Sequence, residues 1–329
     1  MCKLNVYYDR DVDLSVLKNE TVAIIGYGNQ GRAQAQNMRD SGINVIVGNI
    51  NDHYRRQAVD DGFKVYSIDD AAKLATVICF EIPDEIQKEI FEKHILHNLT
   101  KGKTLIFPSG YNFRFGIVVP PKDVDVIDLF PLTFGHYVRE RFVNKQPIGA
   151  YMAIGQDFSG KAKLTALAIA KSIGCTRGGV FETTFAHEIE INLFLEQVTY
   201  PAIERIMVLS FETLVAAGYP PELVSLELYL AKEPSEVFAA KADVGFFESS
   251  KYYSTTAQYG SMTRAPRIIK DDIKKTMLKH LQDIQTGAFA KEWEAEQLNG
   301  KPVFNKLKKE DLEHPMNQVE KNVKKLFRD

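Results

Sequence analysis

Residues 21–47 constrain the fold of this 329-residue chain more tightly than any other stretch. An apolar, β-branched run from Val22 to Ile25 enters Gly26-Tyr27-Gly28-Asn29-Gln30-Gly31. A helical pattern follows to Ser41, and a second apolar run covers Val45 to Val47. Strand, glycine turn, helix and strand in that order is the context in which G-x-G-x-x-G marks a dinucleotide site. Gly26 permits the tight turn, Gly28 lets the backbone approach a pyrophosphate, and Gly31 lets the helix pack on the strand. The helix N-terminus then offers free N–H groups to phosphates. The pattern predicts binding of NAD(H) or NADP(H).

At 45% apolar and 26% charged, a chain this long supports two domains with separate cores. The net charge of -2 gives no electrostatic argument for nucleic acid or an anionic membrane. Cys2, Cys79 and Cys175 are too scattered for a disulfide framework or a zinc site. The opening MCKLNVYYDRDVDL is charged where a signal peptide needs an apolar core, and no window approaches the roughly 20 apolar residues of a membrane span. The expectation is a cytoplasmic protein acting on a small molecule.

The first half alternates strand and helix signals. Strands are expected at Lys64 to Tyr66, Thr76 to Phe80, Thr104 to Phe107 and Val124 to Leu129, with Ala150 to Ile154 closing the sheet. Helices are expected from Ile68 to Leu74 and from Glu85 to His94, and a turn at Pro108-Ser109-Gly110. That alternation implies a doubly wound, mainly parallel sheet covered on both faces, a Rossmann domain over residues 1–182. From Thr184 to His280 the apolar spacing is helical, so residues 183–329 read as an all-α domain. The segment after Gly287 is polar, and Lys324-Lys325 to Asp329 reads as a solvated tail.

The chain resembles the ketol-acid reductoisomerases (acetohydroxy-acid isomeroreductases). The tracts that carry the resemblance are IIGYGNQGRAQAQNMRDSG, PDEIQ, VPPKDVDVI, GHYVR, FETTFAHEIEINLFLEQ, FETLVAAGY, STTAQYG and TGAFAKEW, in the family's order over nearly the whole chain. The resemblance implies an N-terminal Rossmann domain, a knotted all-helical C-terminal domain, and a homodimer or larger assembly of dimers whose sites are completed by both subunits. It implies NADPH as cofactor, with NADH the alternative. Cofactor contacts then fall on the glycine turn (Gly26, Tyr27, Gly28, Asn29, Gln30, Gly31), on Asn51, Asp52 and Arg55, on Pro83, Asp84 and Gln87, and on Ser109 and Gly135.

The departures from the family pattern cluster at one place. The family reduces and isomerises an acetohydroxy acid with two carboxylate-held magnesium ions. Its D-L-F-G-E-Q reads Asn192-Leu193-Phe194-Leu195-Glu196-Gln197 here, and its F-E-C-L-H-E reads Leu226-Glu227-Leu228-Tyr229-Leu230-Ala231. Glu196 and Glu227 remain as metal candidates in an incomplete set, and Glu233 or Glu236 is a potential substitute. The family's Lys beside the metals is Leu132, and its active-site His is Ser109. Hard divalent cations need oxygen ligands, mostly carboxylates; alkyl migration needs those ions, whereas hydride transfer needs an oriented nicotinamide and a donor to the developing oxyanion. The expectation is a reductase of a C=O or C=N in a small 2-keto acid or imine, with Glu227, Glu196, Ser254, His136 and Asn192 as catalytic candidates. Ser254 is either the substrate-carboxylate serine or a helix N-cap, and His136 either a proton donor or a loop hydrogen-bonding residue. Glu196 and Glu227 are site residues or structural ion-pair members, and Asn192 a weakened ligand or a buried polar group. The alternatives are a true reductoisomerase with a rearranged magnesium site and a catalytically silent nucleotide-binding homologue. After the second strand, Asp52 suits the ribose hydroxyls of NAD, while Arg55 or Arg56 suits a 2′-phosphate.

Overall fold

The computed structural model describes residues 4–326, which divide into two compact units after Ile191. In chain order the first unit contains β1 (Val6–Tyr7), β2 (Val22–Ile25), α1 (Asn29–Asp40), β3 (Val45–Gly48), α2 (His53–Asp60), β4 (Lys64–Tyr66), α3 (Ile68–Leu74), β5 (Val77–Phe80) and α4 (Asp84–Ile90). It continues with β6 (Thr104–Phe107), α5 (Tyr111–Arg114), β7 (Asp125–Pro131), α6 (Gly135–Val143), β8 (Ala150–Gln156), α7 (Ala162–Ser172), β9 (Val180–Glu182) and α8 (Phe185–Phe194), the last running across the division.

The strands form one sheet in the order β1-β9-β8-β7-β6-β5-β2-β3-β4. The run from β4 to β7 is parallel; β8 is antiparallel to β7, and β1 is antiparallel to β9. Successive residues bury into opposite faces: Val22 and Ile24 into one core with Ala33, Ala35 and Met38 of α1, and Ala23 and Ile25 into the other with Ala71 and Ala72 of α3. A strand covered on both sides has no polar alternation, which is why these runs read as continuously apolar. The strand expected to close the sheet at 150–154 does not close it, because β9 and then β1 pair beyond it. Two- and three-residue strands carry too few residues for a periodic signal. The division falls after Ile191 rather than at residue 182: Phe185 at the start of α8 packs on Phe113 at 4.6 Å, and Glu190 accepts from Arg114 at 2.8 Å.

The second unit is helical throughout: α9 (Tyr200–Ala216), α10 (Pro221–Ser225), α11 (Glu233–Val244), α12 (Thr255–Ile268), α13 (Ile273–Gln285), α14 (Ala288–Leu298), α15 (Pro302–Glu313) and α16 (Pro315–Leu326). π-helical turns occupy Leu195–Thr199 and Leu226–Leu230. The expected solvated tail is a correction: Lys324 and Lys325 belong to α16, and residues 327–329 lie outside the described residues. Met316, Val319 and Val323 recur at helical spacing, Val323 is buried, and the Tyr229 hydroxyl donates to Glu320. That narrow apolar stripe was hidden by the lysines around it. Among the described residues no helix is long and apolar enough to cross a membrane.

Candidate active site

After β2 the chain runs outward to β3 and β4, then returns to place β5 on the other side of β2. A crevice opens beyond the carboxyl ends of β2 and β5 at that reversal, the usual ligand position in an open α/β sheet. Gly26 turns the chain there with φ +97°, and a Cβ at this position would meet the Glu81 carbonyl oxygen at 2.6 Å. A Cβ on Gly31 would lie 2.0 Å from the Gly26 carbonyl oxygen, so only glycine lets α1 start this close to the strand. Nothing lies within 4 Å of the Cβ position of Gly28, the N-cap of α1. Its open side and the free N–H groups of the first turn suit a diphosphate. A cleft of about 520 Å³ follows, floored by the glycine turn and walled by Ile82, Pro83, Ile86 and Pro108.

The ribose side of the cleft is held by a hydrogen-bonded loop. Asn49 accepts from the Tyr27 backbone N–H at 3.0 Å and donates to Asp52 Oδ1 at 2.8 Å. Asp52 caps α2 by accepting from the Arg55 backbone N–H at 3.0 Å, and it lines the cleft. Arg55 Nη1 donates to the carbonyls of Asn49 at 2.9 Å and Tyr66 at 2.7 Å, so that nitrogen is committed to backbone. Asn51 and Arg55 line an adjoining hollow of about 570 Å³ with Asp69 and His94. Hydrogen bonds from His94, Asn98 and His97 hold the Asp69 carboxyl down at about 2.

Other expected cofactor residues take different places. Asp84 opens α4. Gln87 does not face the cleft: it is buried, donates to the Ile82 carbonyl at 3.0 Å, and accepts from Asn112 at 2.9 Å. It braces the Pro83 turn against the start of α5. Pro108 rather than Ser109 meets the cleft. Gly135 is a contact point between loops, since a Cβ there would lie 2.1 Å from the Asn29 carbonyl oxygen. Gln30 donates to the Thr133 carbonyl at 3.1 Å, fixing the same loop to the glycine turn. His136 stacks parallel to Phe134 and borders a smaller hollow with Arg32 and Arg139.

Two acidic features escaped the sequence reading. Glu81 follows β5 and lines the cleft; its Oε2 is shielded from solvent without a hydrogen-bond partner, and burial pushes the carboxyl up to about 8. Asp128 of β7 and Glu188 of α8 are both buried. Burial, then the neighbouring Glu188 charge and hydrogen bond, hold the Asp128 carboxyl well above the usual range. Asp128 Cγ is 3.5 Å from the Cβ position of Gly110, beside the Pro108-Ser109-Gly110 turn. A polar residue inside an apolar strand run gives no periodic signal of its own.

In the second unit, Glu196 and Glu227 each sit within a π turn, a distortion common at functional sites. Glu196 and Glu227 are both exposed in the single chain, and the partial desolvation that Glu196 does feel raises its carboxyl. Asn192 is half-buried near the end of α8, and Ala231 follows the second π turn. Ser254 is the N-cap of α12, its Oγ accepting from the Ala257 N–H at 3.2 Å. Among the described residues, no three or more His, Cys, Asp or Glu side chains are grouped to hold a metal ion.

Residues 16–179 match the family model of the acetohydroxy acid isomeroreductase NADPH-binding domain, and residues 185–329 that of the ketol-acid reductoisomerase C-terminal domain. The chain belongs to the ketol-acid reductoisomerase family. It is 42% identical over 326 residues to a ketol-acid reductoisomerase (NADP(+)) of Petrotoga mobilis, covering 98% of each chain. An NADH-preferring ketol-acid reductoisomerase from an uncultured archean superimposes with a TM-score of 0.93 at 35% identity, covering 99% of this chain and 100% of that one. A semialdehyde dehydrogenase NAD-binding protein of Cupriavidus necator shares the fold at 17% identity, with a TM-score of 0.63 over 82% of this chain and 98% of its own. This member of the reductoisomerase family is thus an NAD(P)H-dependent oxidoreductase with a Rossmann half and a helical half.

Proposed function

We propose that this chain reduces the C=O or C=N of a small 2-keto acid or imine without the magnesium-dependent isomerisation of its relatives. The observation that carries the reading is the donor chemistry at the positions that match the family's metal ligands. Asn192 is neutral and Ala231 has no donor atom. Two carboxylates do not neutralise two adjacent divalent cations, which disfavours the metal-dependent migration at this site. Hydride transfer itself needs an oriented nicotinamide and a proton donor to the nascent oxygen or nitrogen. Glu196 supplies that donor, because a carboxyl raised by burial keeps a proton to give. Ser254 accepts a backbone hydrogen bond as an N-cap, leaving its O–H to donate to a substrate carboxylate at a helix N-terminus. Steady-state assays with EDTA present should show reduction of 2-keto acids or cyclic imines. Turnover of 2-acetolactate only with added magnesium would instead identify a rearranged metal site recruiting Glu233 or Glu236, and binding of cofactor without oxidation on any substrate would identify a silent homologue.

NADPH is the cofactor that the family model's name and the Petrotoga relative's name point to, and NADH the one named for the structural relative. With Arg55 Nη1 committed to two carbonyls, discrimination falls largely on Asp52, since a carboxylate accepts from ribose hydroxyls and repels a 2′-phosphate. Asp52→Ser keeps an N-cap and removes the charge. It should raise the ratio of kcat/KM for NADPH over NADH about tenfold, roughly 1.4 kcal/mol; an unchanged ratio sinks this assignment. Self-association into dimers fits the second unit's surface, where Phe247 and Leu298 are each 83% exposed in the single chain.

A further inference from the structure

We propose that Glu81 is a protonation gate on the cofactor site, the cleft accepting a dinucleotide only while this side chain is in its neutral acid form. The proposal rests on the cofactor reading above and adds a titrating residue to it. Its geometry comes first. The glycine turn rests on the Glu81 backbone, whose carbonyl oxygen is 2.6 Å from the Cβ position of Gly26. Glu81 also lines the cleft whose glycine turn would cradle a doubly negative diphosphate. Among the described residues no lysine, arginine or histidine lines the 520 Å³ cleft itself; Arg32, Arg139 and His136 lie in the adjoining hollow on the far side of Gly28 and Asn29. The buried Oε2 has no hydrogen-bond partner, and burial outweighs the Gln34 hydrogen bond that favours the carboxylate, so the acid form is favoured.

The surroundings leave Glu81 as the group that changes charge. On its own strand stands Cys79, whose thiol burial holds well above its ordinary range. The glycine turn contributes Tyr27, whose phenol is likewise raised by burial, and α1 contributes the uncharged Gln30 and Gln34. From α2 come Asp52 and Tyr54, from α3 Ile68, and from α4 Ile86 and Ile90. With the Glu81 carboxyl at about 8 in the free protein, binding that requires the acid form takes up a proton when the pH is above that value. Affinity then falls about tenfold between pH 7 and pH 9, the fraction of acid form changing by that factor.

The test is calorimetric titration of the full chain with NADH, which lacks the 2′-phosphate and its own titration near neutrality. Measurements run from pH 6.5 to 9.5, with paired buffers of different ionisation enthalpy at pH 8.5. The wild type should lose about tenfold in affinity between pH 7 and 9 and take up most of one proton at pH 8.5. Glu81→Gln, which keeps the shape and leaves the other groups in place, should bind with a flat pH profile and no proton uptake. Binding by the wild type that is flat with pH, or a Glu81→Gln profile that parallels the wild type, would overturn the gate and leave the cofactor reading intact. No binding by either protein at any pH would overturn the cofactor reading itself. Should the variant fail to fold, proton uptake by the wild type decides alone.

Discussion

Glu196→Gln is expected to lower turnover about 100-fold or more, the usual scale for removing a general acid, while the dissociation constant for the cofactor stays unchanged. The amide keeps the size of the side chain and its place in the π turn at Leu195–Thr199, and it cannot give up a proton. Because burial raises the Glu196 carboxyl, wild-type turnover should be highest at low pH and fall as pH rises through that raised value, and the variant should lose this limb. Initial rates across pH, with and without EDTA, check both points. Full activity in the variant together with abolition of wild-type activity by EDTA would return the chemistry to a metal ion.

Asp128→Asn is expected to stabilise the protein at alkaline pH and to do little near pH 4. The native Asp128 carboxyl is held well above its ordinary value, chiefly by burial and then by Glu188. A group whose pKa is raised by folding contributes its full stability below the unfolded pKa, about 3.9. That contribution is lost as pH rises toward the folded value, at about 1.4 kcal/mol per unit while the native group keeps its proton. Asparagine retains the shape and donates to the Glu188 carboxylate without needing a proton from solvent. By pH 8 the gain should fall within the range of about 1–4 kcal/mol seen when buried ionic pairs are replaced. Urea unfolding at pH 4.5 and pH 8 measures the difference; equal destabilisation at both would show that the Asp128 carboxyl is not held above its ordinary range.

What was legible in the sequence was what local physics writes into adjacent residues. The β2, β3 and β5 runs are apolar because both faces are covered, and Gly26 and Gly31 are required by one turn and one close approach. Residues whose role depends on distant partners were the ones the sequence placed least well or passed over. Gln87, expected among the cofactor contacts, is buried and accepts from Asn112; Glu81 and Asp128 were not singled out in the sequence. Ser254 is a helix cap in the folded chain, and the substrate role offered for it concerns a ligand. The changes at Asn192 and Ala231 were visible only against a family pattern, because a missing carboxylate leaves no trace in composition or periodicity.

The pairing of β1 with β9 fixes an order of events during synthesis. Val6 pairs with Phe181 and Tyr7 with Val180, and the Tyr7 hydroxyl donates to Glu182 at 2.7 Å. Among the described residues, β1 has no sheet neighbour other than β9, the last strand of its unit. It must wait unpaired while every intervening strand is made, and contacts this remote in sequence form slowly. The β1 strand thus acts as a clasp, closing on the sheet only after residues 180–182 have emerged.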